Sequence, residues 1–279
     1  MLIQATPPAI QDAAQALRRG ELVAFPTETV YGLGADACNG MAVAKIYALK
    51  NRPLHNPLII HVASVEDAEK IGQFDSRAQT LASSLWPGPL TRIVPKRNGN
   101  GIAANATAGL DTVALRIPAH PVAAALIQSA GTPLAAPSAN PSGTLSPTRP
   151  EHVARHLAAQ GLIVLSGGAT TIGLESTVID LTTHPARILR PGAIGPDELE
   201  PLIGPVVMAD GTEAIKAPGQ LKRHYAPRTP LRLDAVDVKK GEAFLGFGNT
   251  GFIGVEEVGF VRDMPVEKWR NLSPEGDLH

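Results

Sequence analysis

Residues 25 to 34 read Phe-Pro-Thr-Glu-Thr-Val-Tyr-Gly-Leu-Gly and begin at the end of the apolar run Leu22 to Phe25. Apolar side chains at helical spacing follow in Met41 to Leu49, so the stretch is predicted to connect a strand to a helix. Its polar groups stand between a proline and two glycines, on backbone that is either stiff or free to adopt positive φ. Strand ends bind ligands in α/β folds, so the stretch is either a ligand-binding loop or a tight turn that satisfies its own backbone.

The stretch matches neither of the two common phosphate-binding loops. Gly32 and Gly34 are followed by no third glycine and by no lysine at the required spacing. A dinucleotide-binding fingerprint and a P-loop are therefore both excluded here, while a small polar ligand still suits the composition.

The composition is that of a globular protein. The chain has 279 residues, of which 44% are hydrophobic and 18% charged, enough for one large domain or one average domain with a smaller one. A net charge of -1 gives no overall attraction for nucleic acid, so any RNA contact would be local. Cys38 is the only cysteine, which excludes internal disulfides, and we expect it to be a small buried side chain.

Targeting signals are not evident in the sequence. Residues 1 to 20 lack the apolar segment of a signal peptide, and no stretch approaches the length of a membrane span. We therefore expect a cytoplasmic protein that does not associate with membranes.

Strand and helix patterns alternate along the chain, and short hairpin-like pairs appear late. This order predicts an α/β fold with an open, twisted mixed sheet flanked by helices. The helical patterns begin with Ile10, Ala13, Ala14 and Leu17 and recur at 41–50, 64–71, 75–85, 121–130 and 151–158. Strand patterns are found at 22–25, 58–62, 90–94, 112–117, 133–136, 162–165, 176–181 and 188–190, and residues 96–109 look irregular.

Three kinds of side chain stand out, and the first two each have two interpretations. Lys50 and Arg52 follow a helix, where cations either complement its dipole or bind a ligand. His61 lies in an apolar strand and is either a core histidine or a ligand contact, the core being favoured for a lone histidine. Arg116 alternates with apolar residues, which is unfavourable for a guanidinium without an anionic partner.

A second polar loop, Pro137 to Gly143, also follows a strand. Two polar loops at strand ends of one α/β scaffold favour a shared crevice over two unrelated turns.

Four blocks carry a resemblance to a known family. They are FPTETVYGLGADA from Phe25, KNRPLHNPLIIHV from Lys50, PSANPSG from Pro137, and ESTVIDL from Glu175 followed by RILRPGAI. In order and spacing the chain resembles the YrdC-like threonylcarbamoyl-AMP synthase family (TsaC) over residues 5 to 205.

The resemblance implies a nucleotidyltransferase. It would make threonylcarbamoyl-AMP and pyrophosphate from L-threonine, bicarbonate and ATP, with Mg²⁺ carried by the ATP, as the first step of threonylcarbamoyl modification of adenosine in tRNA. The product would pass to a tRNA threonylcarbamoyltransferase.

Site residues follow from the same resemblance, position by position. The implied catalytic residues are Lys50, Arg52, Ser138 and Asn140. The implied ATP-binding residues are Arg52, Asn56, Thr112, Ser138, Ser146, Arg190 and Tyr225. The implied threonine-binding residues are Thr29, His61, Arg116, Ala136 and Ser176. No dedicated metal ligands are implied, because no compact carboxylate cluster is visible.

These residue types suit the chemistry. Adenylyl transfer spreads negative charge over the phosphates, which fixed cations and hydroxyl donors stabilise. A threonine carboxylate suits a bidentate guanidinium, which would give Arg116 its anionic partner.

Three regions are expected from the resemblance. Residues 1–205 would form the YrdC-like catalytic domain, 206–229 a linker that folds over the active site as a lid, and 230–279 a small, incomplete C-terminal α/β segment. Two other functions remain open: an RNA-binding module of the same fold without catalysis, and carbamoyl transfer as in hydrogenase maturation.

Overall fold

The computed structural model describes residues 1–157, 161–211 and 215–220, residue 232, and residues 244–246 and 269–271. Contacts divide the chain into two units, Met1–Ala226 and Pro227–His279. In the second unit, Phe244–Gly246 and Trp269–Asn271 pair as parallel strands. The expected domain boundaries at residues 205 and 229 stay predictions.

Helices and strands alternate along the first unit. The helices are α1 Pro7–Arg18, α2 Gly40–Lys50, α3 Val65–Ile71, α4 Ser76–Leu85, α5 Pro121–Ala130, α6 Pro150–His156 and α7 Pro196–Ile203. The strands are β1 Leu2–Gln4, β2 Val23–Phe25, β3 Gly32–Asp36, β4 Ile59–His61, β5 Leu90–Pro95, β6 Thr112–Arg116, β7 Leu134–Ala135, β8 Ile163–Ser166, β9 Thr177–Asp180, β10 Ala186–Arg190 and β11 Val206–Met208.

Side-chain caps fix where several helices begin. Thr6, Asn39, Ser64 and Asp75 precede α1, α2, α3 and α4, and each accepts a hydrogen bond from a backbone N–H of the first turn. Helix α2 ends at Asn51, which adopts the left-handed conformation with φ of 51°. Lys50 and Arg52 therefore stand on either side of a sharp turn in the chain.

Eleven strands of the described residues form one mixed sheet in the order β1-β8-β2-β3-β7-β4-β6-β5-β9-β10-β11. Its centre combines parallel β4 and β6 with antiparallel β7 and β5. The register places His61 opposite Arg116. The predicted open mixed sheet flanked by helices is confirmed.

Helices cover the sheet through separate apolar clusters. Helices α1 and α5 pack with Phe25 and Leu165 in one cluster, while α2, α3 and α4 contribute to the larger cluster. A third, small cluster lies on β4, β5, β6, β9 and β10 and includes Ala217, which is fully buried. Residues alternate across a strand, so Ile59, Ala114 and the small cluster share a face with His61 and Arg116.

We predicted that residues 25 to 34 connect a strand to a helix, and this prediction is wrong. The stretch joins β2 to β3, which pair as antiparallel neighbours, and α2 follows β3. Neither Gly32 nor Gly34 has a positive φ. A Cβ on Gly34 would lie 2.8 Å from Cε1 of Phe25, so the glycine makes room for a buried aromatic ring.

Cys38 is exposed, and its expected burial is wrong. It lies in the turn before α2, where its N–H donates to Asp36 Oδ1 at 2.9 Å. The region expected to be irregular contains a short 3₁₀ helix, Ala104–Thr107. Within the described ranges, no helix has the length and apolarity needed to cross a bilayer.

Helix α7 and strand β11 are two elements that the sequence patterns did not predict. Helix α7 is followed by β11, which pairs with β10 and extends the sheet beyond Pro205. Lys216 then anchors the chain, because its Nζ lies 2.7 Å from Asp180 Oδ2 and 2.9 Å from Thr182 Oγ1. We call residues 215–220 the strap.

Candidate active site

An open cavity with an empty volume of about 460 Å³ lies beside the small apolar cluster. Its lining residues come from both polar loops, strands β3, β4, β6 and β10, the turn after α2, the segment before β9 and the strap. They are Thr27, Thr29, Val30, Gly32, Arg52, Ile59, His61, Arg116, Ala136, Pro137, Ser138, Glu175, Ser176, Arg190 and Pro218. The shared crevice expected from the two loops is present. The guanidiniums and hydroxyls of this lining suit a ligand with charged and polar groups.

The two polar loops are joined by backbone hydrogen bonds. Leu33 N–H donates to Pro137 O, and Ala139 N–H donates to Tyr31 O, both at 2.8 Å. In the first loop, Thr27 Oγ1 lies 2.8 Å from Thr29 Oγ1 and donates to Val30 O. Such pairing fixes the hydroxyls at the cavity wall before any ligand arrives.

Arg116 reaches the cavity from the end of β6. It is 4% exposed, its Nη2 lies 2.6 Å from Glu28 Oε1, and its Nε donates to Gly88 O at 3.2 Å. Burial lowers the pKa of Arg116, an effect that Glu28 partly offsets. The anionic partner required by an arginine in an apolar strand is thus present in the protein itself.

Arg190 is the second guanidinium of the cavity, and it contacts the consecutive residues Glu175 and Ser176. Its Nη1 pairs with Glu175, while its Nη2 donates to Ser176 Oγ at 3.0 Å. Glu175 also accepts from Ser146 Oγ at 2.6 Å, and Ser176 Oγ lies 2.8 Å from Thr91 Oγ1. Arg190 therefore contacts both the Glu175 carboxylate and the Ser176 hydroxyl of this cavity.

Arg52 differs from the other two guanidiniums in its partners. Its Nε donates to Asn56 O at 3.0 Å and its Nη2 to Pro57 O at 2.8 Å. No carboxylate of the described residues forms an ion pair with it. Burial lowers the pKa of Arg52 to about 10, so it stays protonated near neutral pH. Among the described residues, Arg52 is therefore the cavity guanidinium that has no carboxylate in an ion pair, whereas Arg116 and Arg190 each have one.

Lys50 is close to the cavity but does not line it. Its Nζ donates to the backbone oxygens of Ser138 and Asn140, and its own oxygen accepts from Ser142 N–H at 2.9 Å. Burial, with the charge of Arg52, lowers the pKa of Lys50 to about 7. Lys50 therefore connects the end of α2 to the second polar loop and holds the backbone of Ser138 in place through a hydrogen bond.

Asn140 belongs to the same loop, and its side chain is buried. Its Nδ2 donates to Thr144 O at 2.8 Å, while its Oδ1 has no partner among the described residues. Of the four residues expected to be catalytic, Arg52 and Ser138 line the cavity and Lys50 and Asn140 do not.

All five residues expected to hold threonine line the cavity: Thr29, His61, Arg116, Ala136 and Ser176. Burial, with the charge of Arg116, lowers the pKa of His61 to about 3, so its imidazole is neutral near pH 7. Its Nδ1 has no partner within the described part of the chain. His61 is thus both a core histidine and a cavity residue.

The residues expected to bind ATP are more dispersed. Arg52, Ser138 and Arg190 line the cavity, and Ser146 lines a second, larger cavity that shares Glu175 and Arg190 with the first. Asn56 lies behind Arg52 with both polar side-chain atoms unpartnered among the described residues. Thr112 lies at the opposite end of β6 from Arg116, paired with Pro95. Tyr225 is outside the described residues.

The strap completes one wall of the cavity. Pro218 lines it, and its backbone oxygen accepts from Arg190 Nη1 at 3.4 Å. Gly219 has a φ of +99°, and a Cβ there would lie 2.6 Å from Cδ of Arg190, so only glycine fits. The expected lid residues Lys222 to Tyr225 lie outside the described residues.

Two acidic residues of the site were not proposed as site residues from the sequence. Glu28 and Glu175 each precede a hydroxyl residue inside a quoted block, and each neutralises a buried guanidinium. The available signal was the need of Arg116 for an anion, which pointed to a carboxylate without saying which one. Near the cavity and elsewhere in the described residues, no group of three His, Cys, Asp or Glu is placed to hold a metal ion.

Comparison with known proteins decides the family. A model for the Sua5, YciO and YrdC proteins, described as "Telomere recombination", matches residues 15–192. A second model, described as "Threonylcarbamoyl-AMP synthase, C-terminal domain", matches residues 194–262. The chain belongs to the Sua5/YrdC family of threonylcarbamoyl-AMP synthases. The second match identifies the long, Sua5-type form.

Individual Sua5/YrdC relatives agree with this assignment. The threonylcarbamoyl-AMP synthase of Bacillus subtilis is 47% identical over 231 residues, covering 81% of this chain and 66% of its own length. That of Pyrococcus abyssi is 49% identical over 283 residues, covering 94% of this chain and 83% of its own length. This chain thus spans about two thirds of the first relative and most of the second.

A solved structure agrees as well. The crystal structure of Pyrococcus abyssi Sua5 complexed with L-threonine has a TM-score of 0.82 and 40% identity, covering 94% of this chain and 76% of that one. The predicted family, fold class and nucleotidyltransferase class are confirmed. The predicted role of each site residue is not tested by these likenesses.

Proposed function

We propose that the cavity of this Sua5-type protein condenses L-threonine and bicarbonate with ATP to give threonylcarbamoyl-AMP and pyrophosphate. The observation that carries the proposal is that three buried guanidiniums, of Arg52, Arg116 and Arg190, line one small cavity. Cations that are already fixed in place stabilise negative charge as it develops, because they need no reorganisation during the reaction.

The reaction has two bond-forming steps. The threonine nitrogen bonds to the carbon of bicarbonate, and water leaves to give a carbamate. A carbamate oxygen then attacks the α-phosphorus of ATP, and the bond to the leaving pyrophosphate breaks. The negative charge that accumulates on the phosphates during this step needs a nearby cation.

Arg52 is the residue we assign to that charge. Carbonyl oxygens hold its guanidinium in place, and no carboxylate of the described residues neutralises it. Ser138 adds a hydroxyl beside it, and Lys50 holds the backbone of Ser138. We therefore give Lys50 a positioning role through the loop, in place of direct contact with phosphate.

Threonine is assigned to the other end of the cavity. Arg116 would bind its carboxylate, while Thr29, His61 and Ser176 surround the remaining polar groups and Ala136 offers its backbone. The Pyrococcus relative was crystallised with L-threonine, which supports a threonine site in this fold.

ATP is assigned to the side shared with the second cavity. Arg190 and Ser146 would contact it there, with Asn56, Thr112 and Tyr225 as further ATP-binding residues implied by family resemblance. Mg²⁺ would enter with the ATP phosphates, because the described residues hold no metal cluster. The labile adenylate would pass to a tRNA threonylcarbamoyltransferase in the cytoplasm.

Pyrophosphate release tests the proposal. We expect release from ATP only when threonine and bicarbonate are both present, with mass spectrometry identifying threonylcarbamoyl-AMP. Equal release with any amino acid, or without bicarbonate, contradicts it. Product formed from carbamoyl phosphate instead would favour carbamoyl transfer, and failure to bind ATP in calorimetry would favour an RNA-binding module.

A further inference from the structure

Glu28 pairs with Arg116 but does not line the cavity. We propose that Glu28 is a positioning residue that orients the Arg116 guanidinium for the carboxylate of the amino acid substrate. The inference rests on the proposed function, which places that carboxylate at Arg116. Glu28 would thereby set how strongly the site distinguishes an amino acid from its uncharged analogues.

The first argument comes from the donors of Arg116. Nε is directed at Gly88 O and Nη2 at Glu28 Oε1, two contacts that fix both the plane and the rotation of the guanidinium. Nη1 makes no hydrogen bond to any described residue. An arginine offers carboxylates a planar fork, so a rotation of that plane removes the bidentate match.

The second argument is that Glu28 is itself held on several sides. Its Oε2 accepts from Ala119 N–H at 3.1 Å, and its backbone oxygen accepts from Ile172 N–H at 2.9 Å and Thr171 Oγ1 at 3.3 Å. The residue is 8% exposed. The carboxylate is thus held by Arg116 and Ala119, and the backbone that carries it is held by residues 171 and 172, so Glu28 keeps its position whether or not substrate is bound.

The third argument concerns which substitution removes the orientation. Each oxygen of the Glu28 carboxylate accepts one hydrogen bond, from Arg116 and from Ala119. A glutamine has one acceptor oxygen, and its NH₂ would face one of these donors. Glu28→Gln therefore preserves size but cannot satisfy both partners, so the guanidinium loses its fixed plane.

Threonine and L-threoninamide, which differ in the carboxylate, provide the test. We would measure the dissociation constants of both, and of ATP, by calorimetry for the full chain and for Glu28→Gln. The ratio of the threoninamide to the threonine constant should fall about tenfold or more in the variant, as expected when one charged hydrogen bond is misaligned. ATP affinity should change by less than about twofold, since Glu28 is not on the nucleotide side.

A surface pair provides the matched control. Glu21 pairs with Arg19 through side chains that are 47% and 57% exposed, and Glu21→Gln should leave all three constants unchanged. Equal weakening of threonine and threoninamide in Glu28→Gln would indicate a general structural role and overturn the inference, as would an unchanged ratio. If Glu28→Gln does not fold, Glu28→Asp is measured by the same criteria, because it keeps the charge and shortens the reach.

Arg116→Lys separates failure of the inference from failure of the proposed function. If the unaltered chain does not prefer threonine, or if Arg116→Lys keeps the preference, the assignment of the carboxylate to Arg116 is wrong. If Arg116→Lys loses the preference while Glu28→Gln keeps it, only the role of Glu28 is wrong.

Discussion

Arg92 and Arg116 are buried arginines on neighbouring strands, and they show two ways in which a sheet accommodates a guanidinium. Arg92 lies opposite Leu115 in the register, so it points to the other face from Arg116. Arg116 has a carboxylate partner and lines the cavity, whereas Arg92 lies over the Trp86 ring at 3.2 Å and has no ion pair among the described residues.

The difference shows that burial of a cation does not by itself mark a functional site. Arg92 is fully buried, and its Nε and Nη2 have no partner in the described part of the chain. Its Nη1 donates to Ala78 O, and burial lowers its pKa to about 9. The rings of Trp86 and Phe74 stand where a carboxylate would otherwise be needed, and Arg92 does not line the cavity, so we interpret it as a packing residue.

The largest effect is expected for Arg52, a buried arginine that lines the cavity. Arg52→Ala should lower the rate of pyrophosphate release about a hundredfold or more, because a fixed cation near the developing phosphate charge is lost. The measurement is steady-state turnover, with thermal unfolding to show that the fold is kept. Arg18→Ala, which removes an exposed arginine of α1, is the control, and near-normal turnover in Arg52→Ala would make it a structural residue like Arg92.

The next prediction concerns Arg92, on the face of the sheet opposite to Arg116, where we expect an effect on stability. Arg92→Ala should lower the free energy of unfolding by about 2–4 kcal/mol, because a large buried side chain leaves a cavity beside Trp86. Urea unfolding measures this, and Arg92→Met, which fills more of the space, should lose less. The dissociation constants of threonine and ATP for the folded variant should stay within about twofold of those of the unaltered chain. A selective loss of threonine affinity would show that Arg92, like Arg116, serves the threonine site.

Arg116→Lys keeps the positive charge and loses the planar fork. Threonine affinity should fall by about 1.5–3 kcal/mol while ATP binding without threonine barely changes, because one subsite alone is altered. Calorimetry with each ligand separately measures both. Equal losses for the two ligands would mean that Arg116 serves the fold or the nucleotide.

His61 on β4 pairs with Arg116 on β6, and we expect it to have a smaller, pH-dependent effect on the free energy of unfolding. Its pKa is lowered to about 3, so between pH 6.5 and 3 the unfolded chain binds a proton that the folded chain does not. Stability is therefore lost as the pH falls below about 6.5, by about 1.4 kcal/mol at pH 5.5 relative to pH 8. His61→Asn should remove this part of the loss in urea unfolding, and parallel pH profiles would contradict it.

Local patterns were sufficient for much of the fold. Ser64, Asp75 and Gly131 mark helix ends in the sequence and do so in the structure, because caps depend on neighbouring residues. The path after residue 31 was predicted wrongly because glycines that admit the Phe25 ring look like turn glycines. That error concerned tertiary packing, which a local pattern does not contain.

The site was only partly predictable for a related reason. Residues Thr29, His61, Arg116 and Ser176 could be placed by motif, and the cavity brings them together. The pairing of Glu28 with Arg116 spans 88 residues, so no local spacing reveals it. Lys50 was expected to be catalytic from the family resemblance, and the sequence does not show the backbone carbonyls of Ser138 and Asn140 that its Nζ contacts.

The contacts of Arg190 with both Glu175 and Ser176 have a thermodynamic consequence. Under the proposed assignment, a nucleotide that draws Arg190 away from Glu175 also alters the hydroxyl that faces threonine. The two ligands are then coupled, and whatever factor ATP imposes on the threonine dissociation constant, threonine must impose on that of ATP. Through the Arg190 guanidinium, each substrate would change the dissociation constant of the other, although the two are assigned to different ends of the cavity.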